Sequence, residues 1–369
     1  MNITCNRELL FDAIKMVSLV IPQKTHSRPL LNNLEFAVTE EKTLVITATD
    51  MEMGIKLNVP LESALETGKV LLPVTQLIGI LGEVKEKNVK IETLERSLVI
   101  SGCNFIYKLP FLGDTEFPEV PLLEGVEIKI DRFKLGRVIK DVAFAMNKDK
   151  NRYSLNSLLL CLEGKRMEAV ATDQVRLAYS FMEIEKEVEG CFNIILPAKA
   201  VHVIESLLSS GGSDEISIIC GDNQVTFIFE KGYFITRLVD AQFPKYRAAF
   251  DNYRNNPDIL VNTSDLSEAL RGIMLLTCTD RKNVALHIKE GLLTFKTSTP
   301  LGDGNVDVKV KYSDKEMSIG INPGLVQEFM REIENQKMEE VRIKVVGPMK
   351  PVILYSHENY IYFMSPTSY

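Results

Sequence analysis

Apolar and polar positions along this chain follow one pattern that is written three times. In residues 193–208, NIILPAKAVHVIESLL, the β-branched pair Ile194 and Ile195 runs into Pro197. Val201, Ile204 and Leu208 then recur three or four residues apart. The pattern predicts a strand ended by proline and followed by an amphipathic helix. Proline suits the junction because its fixed φ fits the first helical turn and its missing N–H would have no partner there. The same pattern appears in KVLLPVTQLIGILGEV, with Pro73 followed by Leu77, Ile80, Leu81 and Val84. It appears again in MSIGINPGLVQEFMREI, with Pro323 followed by Val326, Phe329, Met330 and Ile333.

A second kind of helix opens each third. Its copies are NRELLFDAIKMV from Asn6, DRFKLGRVIKDVAF from Asp131 and NTSDLSEALRGIML from Asn262. Asn6, Asp131 and either Thr263 or Ser264 are the expected N-caps. Leu10, Ile14 and Val17 fall at helical spacing. Between the helices lie short strand-like runs such as LEFAV at 34–38, TLVITAT at 43–49, MGIKLNV at 53–59, VTFIFE at 225–230 and YFITRLV at 233–239. Helices are too few for a parallel α/β fold, so the expected class is α+β, with antiparallel sheets packed on helix pairs.

The three prolines stand about 125 residues apart, far beyond the roughly 20–50 residues of a solenoid unit, so the repeat is a repeated domain. Ala48-Thr49-Asp50 returns as Ala171-Thr172-Asp173, and Phe117-Pro118 returns as Phe243-Pro244. The last third keeps the helices and loses both echoes. The expected domains are 1–125, 126–256 and 257–369.

Composition narrows the class. A hydrophobic fraction of 45% and a charged fraction of 25% are those of an ordinary globular protein. No apolar run reaches the ~18 residues of a membrane span, and the N-terminus lacks a signal-peptide core, so a cytoplasmic location is expected. The six cysteines form no CxxC pair and read as buried free thiols; the four histidines are scattered, so no metal site and no cofactor are expected. A net charge of −7 argues against a uniformly basic nucleic-acid binder but allows cations gathered on one face. G-x-S-x-G, Walker A and H-E-x-x-H motifs are absent. The repeated Thr-Asp pairs read as turn residues rather than as an acid–base pair. The acidic run EIEKEVE at 183–189 reads as a solvated strand edge or loop.

The thrice-repeated unit, together with RPLLNNLEF, TATDMEM, NRYSLNSLLLCLEG, AVATDQVRLAYS and RLVDAQFPKYR, resembles the bacterial DNA polymerase III beta subunit, the replicative sliding clamp. The likeness runs through the whole chain and is most specific at 152–181 and 233–247. It implies a non-catalytic processivity factor. A head-to-tail homodimer would close into a ring of six similar domains around duplex DNA, held without regard to base sequence. Polymerase, clamp loader and repair proteins would dock through short linear peptides.

The helix from Asp131 carries Arg132, Lys134, Arg137 and Lys140, with Lys148, Lys150 and Arg152 after it, and Lys199 stands opposite an apolar helix face. By similarity, Lys24 and the 148–152 loop are the expected DNA contacts. The family often has basic residues where this chain has Thr75 and Gln76. The resemblance places the partner-peptide pocket at Leu155, Thr172, Gln174, Val175, Arg176, Leu177, Pro244, Ala249, Met364 and Ser365. The same Leu155 and Leu177 also fit plain core packing. The family usually has glycine, and often histidine, where this chain has Gln174 and Val175. Its C-terminus usually reads proline, aliphatic, arginine, against Ser365-Pro366-Thr367 here. The dimer seam would use Tyr107 and Leu109 on one side and Leu275 and Leu276 on the other, although a helix end such as Leu275-Leu276 also reads as internal core. Two other readings remain: a scaffold of the same fold that no longer holds DNA, and an enzyme built on the Thr-Asp pairs.

Overall fold

In the computed structural model the described residues are 1–22, 28–94, 97–112, 116–149, 151–250, 256–278 and 282–368. The six expected helices are present: α1 (Arg7–Ser18), α2 (Val74–Glu83), α3 (Arg132–Ala143), α4 (Ala198–Ser209), α5 (Thr263–Met274) and α6 (Pro323–Asn335). On α2 the predicted face is buried at Leu77 and Leu81 and half-buried at Ile80; on the other helices whose faces were named it is buried throughout. Leu10, Ile14 and Val17 are buried on α1, Val201, Ile204 and Leu208 on α4, and Val326, Phe329, Met330 and Ile333 on α6. A fully buried side chain of this size contributes roughly 1.5–3 kcal/mol, so these stripes dominate what holds each helix down.

The cap of α1 is the expected one and the cap of α5 is not. Asn6 caps α1, its side-chain oxygen accepting from the N–H groups of Glu8 and Leu9. On α5 the cap is Asn262, one residue earlier than Thr263 or Ser264, and it accepts from Ser264 and Asp265 in the same way. Asparagine thus caps corresponding helices in the first and last thirds. Of the three prolines, Pro323 occupies the first turn of α6, whereas Pro73 and Pro197 are the last residues of the preceding strands.

The chain divides into two compact units that cut across the sequence repeat. One comprises Met1–Phe133 with Lys199–Leu238, the other Lys134–Ala198 with Val239–Tyr369. In the first unit α1 packs on α2 beside a twelve-stranded antiparallel sheet; in the second α5 packs on α6 beside a ten-stranded one. The middle third is shared because its edge strands find partners in its neighbours. Gly232–Arg237 pairs with Met53–Glu66, and Arg176–Pro197 pairs with Tyr360–Met364. An unpaired strand edge leaves a row of backbone donors and acceptors open, and continuing the sheet into the next repeat satisfies them.

The cysteines depart from the sequence reading. Cys5 and Cys161 are buried, Cys103 and Cys191 are exposed, and Cys220 and Cys278 are intermediate; all six are free thiols. The acidic run 183–189 lies within the long strand Arg176–Pro197. Among the described residues no helix is long and apolar enough to cross a membrane.

Candidate functional site

The repeated Thr-Asp pair builds the same turn twice. Thr49 Oγ1 donates to Met53 O at 2.8 Å and accepts the Met51 N–H, while Asp50 Oδ1 accepts from Glu52 and Met53. Likewise Thr172 Oγ1 donates to Arg176 O at 2.6 Å and accepts the Gln174 N–H, while Asp173 Oδ1 accepts from Val175 and Arg176. Met51 and Gln174 take left-handed φ values of 78° and 79°. Side chains rarely adopt that region, so four side-chain-to-backbone bonds per turn are what hold it. All of these oxygens are engaged in the turn, which leaves neither aspartate placed as an acid–base group.

The second turn displays Val175, which is exposed, and hides Arg176, which is 5% exposed. The Arg176 guanidinium donates to Asp173 Oδ2 at 3.1 Å, to Phe144 O at 2.8 Å and to Glu328 on α6, and lies over the Phe144 ring. Arg176 therefore ties the turn to α6 and to the residue that follows α3 rather than lining a surface. Next to the turn, Ser365 N–H donates to Val175 O at 2.8 Å. A proline at Ser365, as in the family pattern, could not make that bond.

Two hollows lie in the second unit, the first of which includes Gln174 of this turn. One, of ≈ 580 Å³, is lined by Asn151, Arg152, Tyr153, Ser154, Leu155, Gln174, Asp240 and Ala241. The other, of ≈ 550 Å³, is lined by Leu159, Asn193, Ile195 and residues 241–248. Of the sequence-derived pocket residues, Leu155 and Gln174 line the first and Pro244 the second, and Ala241 is common to both. Leu177 and Ala249 pack instead on the cluster of Ile353, Tyr355, Ile361 and Phe363. Met364 is fully buried and pairs with Arg176 across the sheet, and Thr172 is used up in the turn. None of these last residues lines either hollow.

Sequence reasoning missed Tyr153, Phe243, Tyr246 and Glu168. Buried Glu168 accepts hydrogen bonds from Tyr179 at 2.9 Å, Tyr246 at 2.5 Å and Arg247 at 3.1 Å, which pins the 240–250 segment. Burial beside this carboxylate pushes both tyrosine hydroxyls well above their ordinary range. The signal was legible: a lone glutamate in the apolar run MEAVAT calls for partners. Phe243 was legible too, as half of the repeated Phe-Pro pair.

That pair also marks a repeat-related hollow in the first unit. Glu35, Lys69, Leu71, Phe117 and Pro118 line it as Leu159, Asn193, Ile195, Phe243 and Pro244 line its counterpart. It is larger, ≈ 1160 Å³, and carries an ion pair between Lys69 and Glu35 at 3.8 Å.

The candidate cations fare unevenly. Lys24 and Lys150 lie outside the described residues. Lys148 and Arg152 are exposed on the segment after α3, with Glu328 at 3.8 Å and Asp149 at 4.0 Å respectively. Lys199 is engaged within its own unit, donating to Asp50 at 2.6 Å and to Val20 O at 2.9 Å. On α3, Arg132 is buried and donates to Leu208 O, and Arg137 contacts Gln336 and His357. Burial and the Arg137 charge push His357 below its ordinary range. Lys134 and Lys140 are exposed, as are Thr75 and Gln76 on α2.

At the expected seam, Tyr107 and Leu109 lie on strand Ile106–Leu109, an edge of the twelve-stranded sheet. Ile106 and Tyr107 are exposed, and the sequence reading missed Ile106. The two leucines after α5 point differently. Leu275 is 79% exposed, whereas a Cβ added at Gly304 would come within 2.7 Å of Leu276, so Leu276 is seated on its own sheet.

Comparison with known proteins agrees with these features. Family models described as the DNA polymerase III beta subunit match in order: the N-terminal domain at residues 1–121, the central domain at 127–245 and the C-terminal domain at 253–362. A beta sliding clamp of Pseudomonas aeruginosa is 26% identical over 363 residues, spanning 97% of each chain. One of Escherichia coli K12 is 29% identical over 359 residues, spanning 95% of each. A crystal structure of the Pseudomonas aeruginosa sliding clamp bound to griselimycin superposes with a TM-score of 0.93 at 25% identity over the whole of both chains.

Proposed function

The chain belongs to the DNA polymerase III beta subunit family, and from that membership we infer its function: it is a DNA sliding clamp, a non-catalytic processivity factor of replication. The observation that carries this is the family match running in order through a helix pair written three times. In this family a head-to-tail homodimer closes around duplex DNA and holds the polymerase at the primer end. Linkage of that kind raises the local concentration of enzyme without any tight contact to the bases.

For the residues that do this, we propose a division of labour. Lys148 and Arg152, exposed and only loosely paired, reach phosphates together with Lys24 and Lys150, which lie outside the described residues. Such contacts are sequence-independent and weaken with salt. The ammonium of Lys199 serves as a strut to Asp50, so its contribution to DNA is small.

Partner peptides dock on the two hollows that share Ala241, with Gln174, Val175 and Pro244 at the surface and buried Leu155 and Met364 and half-buried Leu177 and Ala249 beneath. The hollow of Leu159, Ile195, Phe243 and Pro244 is mainly apolar and suits a short hydrophobic motif, while that of Asn151, Arg152, Ser154, Gln174 and Asp240 offers polar anchors. The counterpart hollow has Glu35 in place of Leu159 and a charged pair across it, so an apolar peptide prefers the second unit. The seam forms between edge strand Ile106–Leu109 and exposed Leu275. The domains run 1–125, 126–256 and 257–369, and the protein works in the cytoplasm.

The test is topological. The protein is loaded onto nicked circular DNA and the circle is then cut. Retention on the circle followed by release on linearisation is expected. Retention unaffected by cutting, or a native mass of one chain, would overturn the reading.

A further inference from the structure

We propose that Cys161, Cys191 and Glu163 form a binding site for a zinc-class divalent ion, a role separate from holding DNA. Strands Ser157–Thr172 and Arg176–Pro197 pair so that Cys161 faces Asn193 and Glu163 faces Cys191. This register brings Cys191 to Cys161, which lies 30 residues earlier in the chain, and to neighbouring Glu163. The two Sγ atoms stand 3.9 Å apart, and the three ligand atoms all lie within 4.8 Å of one another.

Zinc–sulfur bonds of ~2.3 Å at a tetrahedral angle place two sulfurs about 3.8 Å apart. The observed spacing therefore suits one ion held between the thiols with little movement of either strand. The donor set, two soft sulfurs and a carboxylate, selects zinc-like ions over calcium or magnesium. On binding, each thiol loses its proton to water as its sulfur–metal bond forms.

Two further observations point the same way. A hollow of ≈ 740 Å³ beside the site is lined by Glu163, Glu187, Glu189 and Cys191. It gives the ion a route from solvent and leaves the fourth position to a water or to a second carboxylate. A cation already sits at the site: Arg247 Nη2 lies 3.8 Å from Cys161 Sγ and 3.7 Å from Glu163 Oε2. The Arg247 side chain is 61% exposed; to admit a metal ion it must give up Cys161 and Glu163, while its bond to Glu168 at 3.1 Å can remain.

Cobalt(II) is the probe, titrated into the reduced full-length protein. One equivalent should produce thiolate charge-transfer absorption and tetrahedral d–d bands, both replaced on adding zinc(II). Cys191→Ser should abolish the bands; because Cys191 is exposed, far-UV circular dichroism of that variant should match the parent. Glu163→Gln should weaken binding at least about tenfold, and Arg247→Ala should tighten it. Absence of thiolate bands, their persistence in Cys191→Ser, or weaker binding in Arg247→Ala would each overturn the site.

Discussion

Arg176 offers the sharpest test of how the second unit is held together. Its side chain is 3% exposed and meets Asp173 and Glu328, whose side chains are 19% and 28% exposed, as well as the carbonyl of Phe144. Arg176→Ala leaves two half-buried carboxylates without their cation and a backbone oxygen without its donor. Breaking a fully buried ion pair costs roughly 3–5 kcal/mol. Because water still reaches both carboxylates, the expected loss lies at the low end, about 3 kcal/mol. With a urea slope of ~3 kcal/mol per molar, the midpoint for this unit should fall by about 1 M.

The chain has no tryptophan, so the transition is followed by far-UV circular dichroism. A double-mutant cycle with Glu328→Gln should show coupling of at least about 1 kcal/mol, since the two groups are in direct contact. A midpoint shift below ~0.3 M, or effects of the two substitutions that simply add, would refute the argument. Arg176 would then be a surface residue of the pocket, as the family resemblance alone implies.

Other outcomes follow from the same geometry. Asp141 on α3 is buried and accepts from Ser180 and Gln336; burial raises its carboxyl to about 6. A carboxyl raised on folding contributes stability that is complete below about pH 4 and lost as pH climbs through about 6. Asp141→Asn should therefore gain on the parent by up to about 2–3 kcal/mol between pH 4 and 7; parallel pH profiles would contradict this. Leu275→Asp should give a folded monomer by light scattering, because that side chain is free. Leu276→Asp should lower the melting temperature, because it places a charge against Gly304, at a cost of about 1–3 kcal/mol. The reverse pattern would put Leu276 at the seam.

The sequence by itself determined the six helices, because a 3.6-residue apolar period after a capping asparagine or a proline admits few other conformations. It also determined the Thr-Asp turns, since their bonds are local and reappear wherever the Thr-Asp pair does. The resemblance to a known family was legible for the same reason: the motifs that carry it are contiguous. Tertiary structure alone decided which strands from neighbouring repeats would join, so the compact units run across the repeat instead of along it. Long-range neighbours such as Cys161 and Cys191, diagonal across two paired strands, or Glu168 and Tyr246, brought together by the 240–250 segment, leave no trace in local spacing. Arg132 and Lys199, read from the chain as candidate cations, and Arg176, read as a pocket residue, make the same point: each is tied to a carbonyl or carboxylate of its own unit. A positive charge in a sequence says nothing of the carboxylate or carbonyl that folding brings beside it.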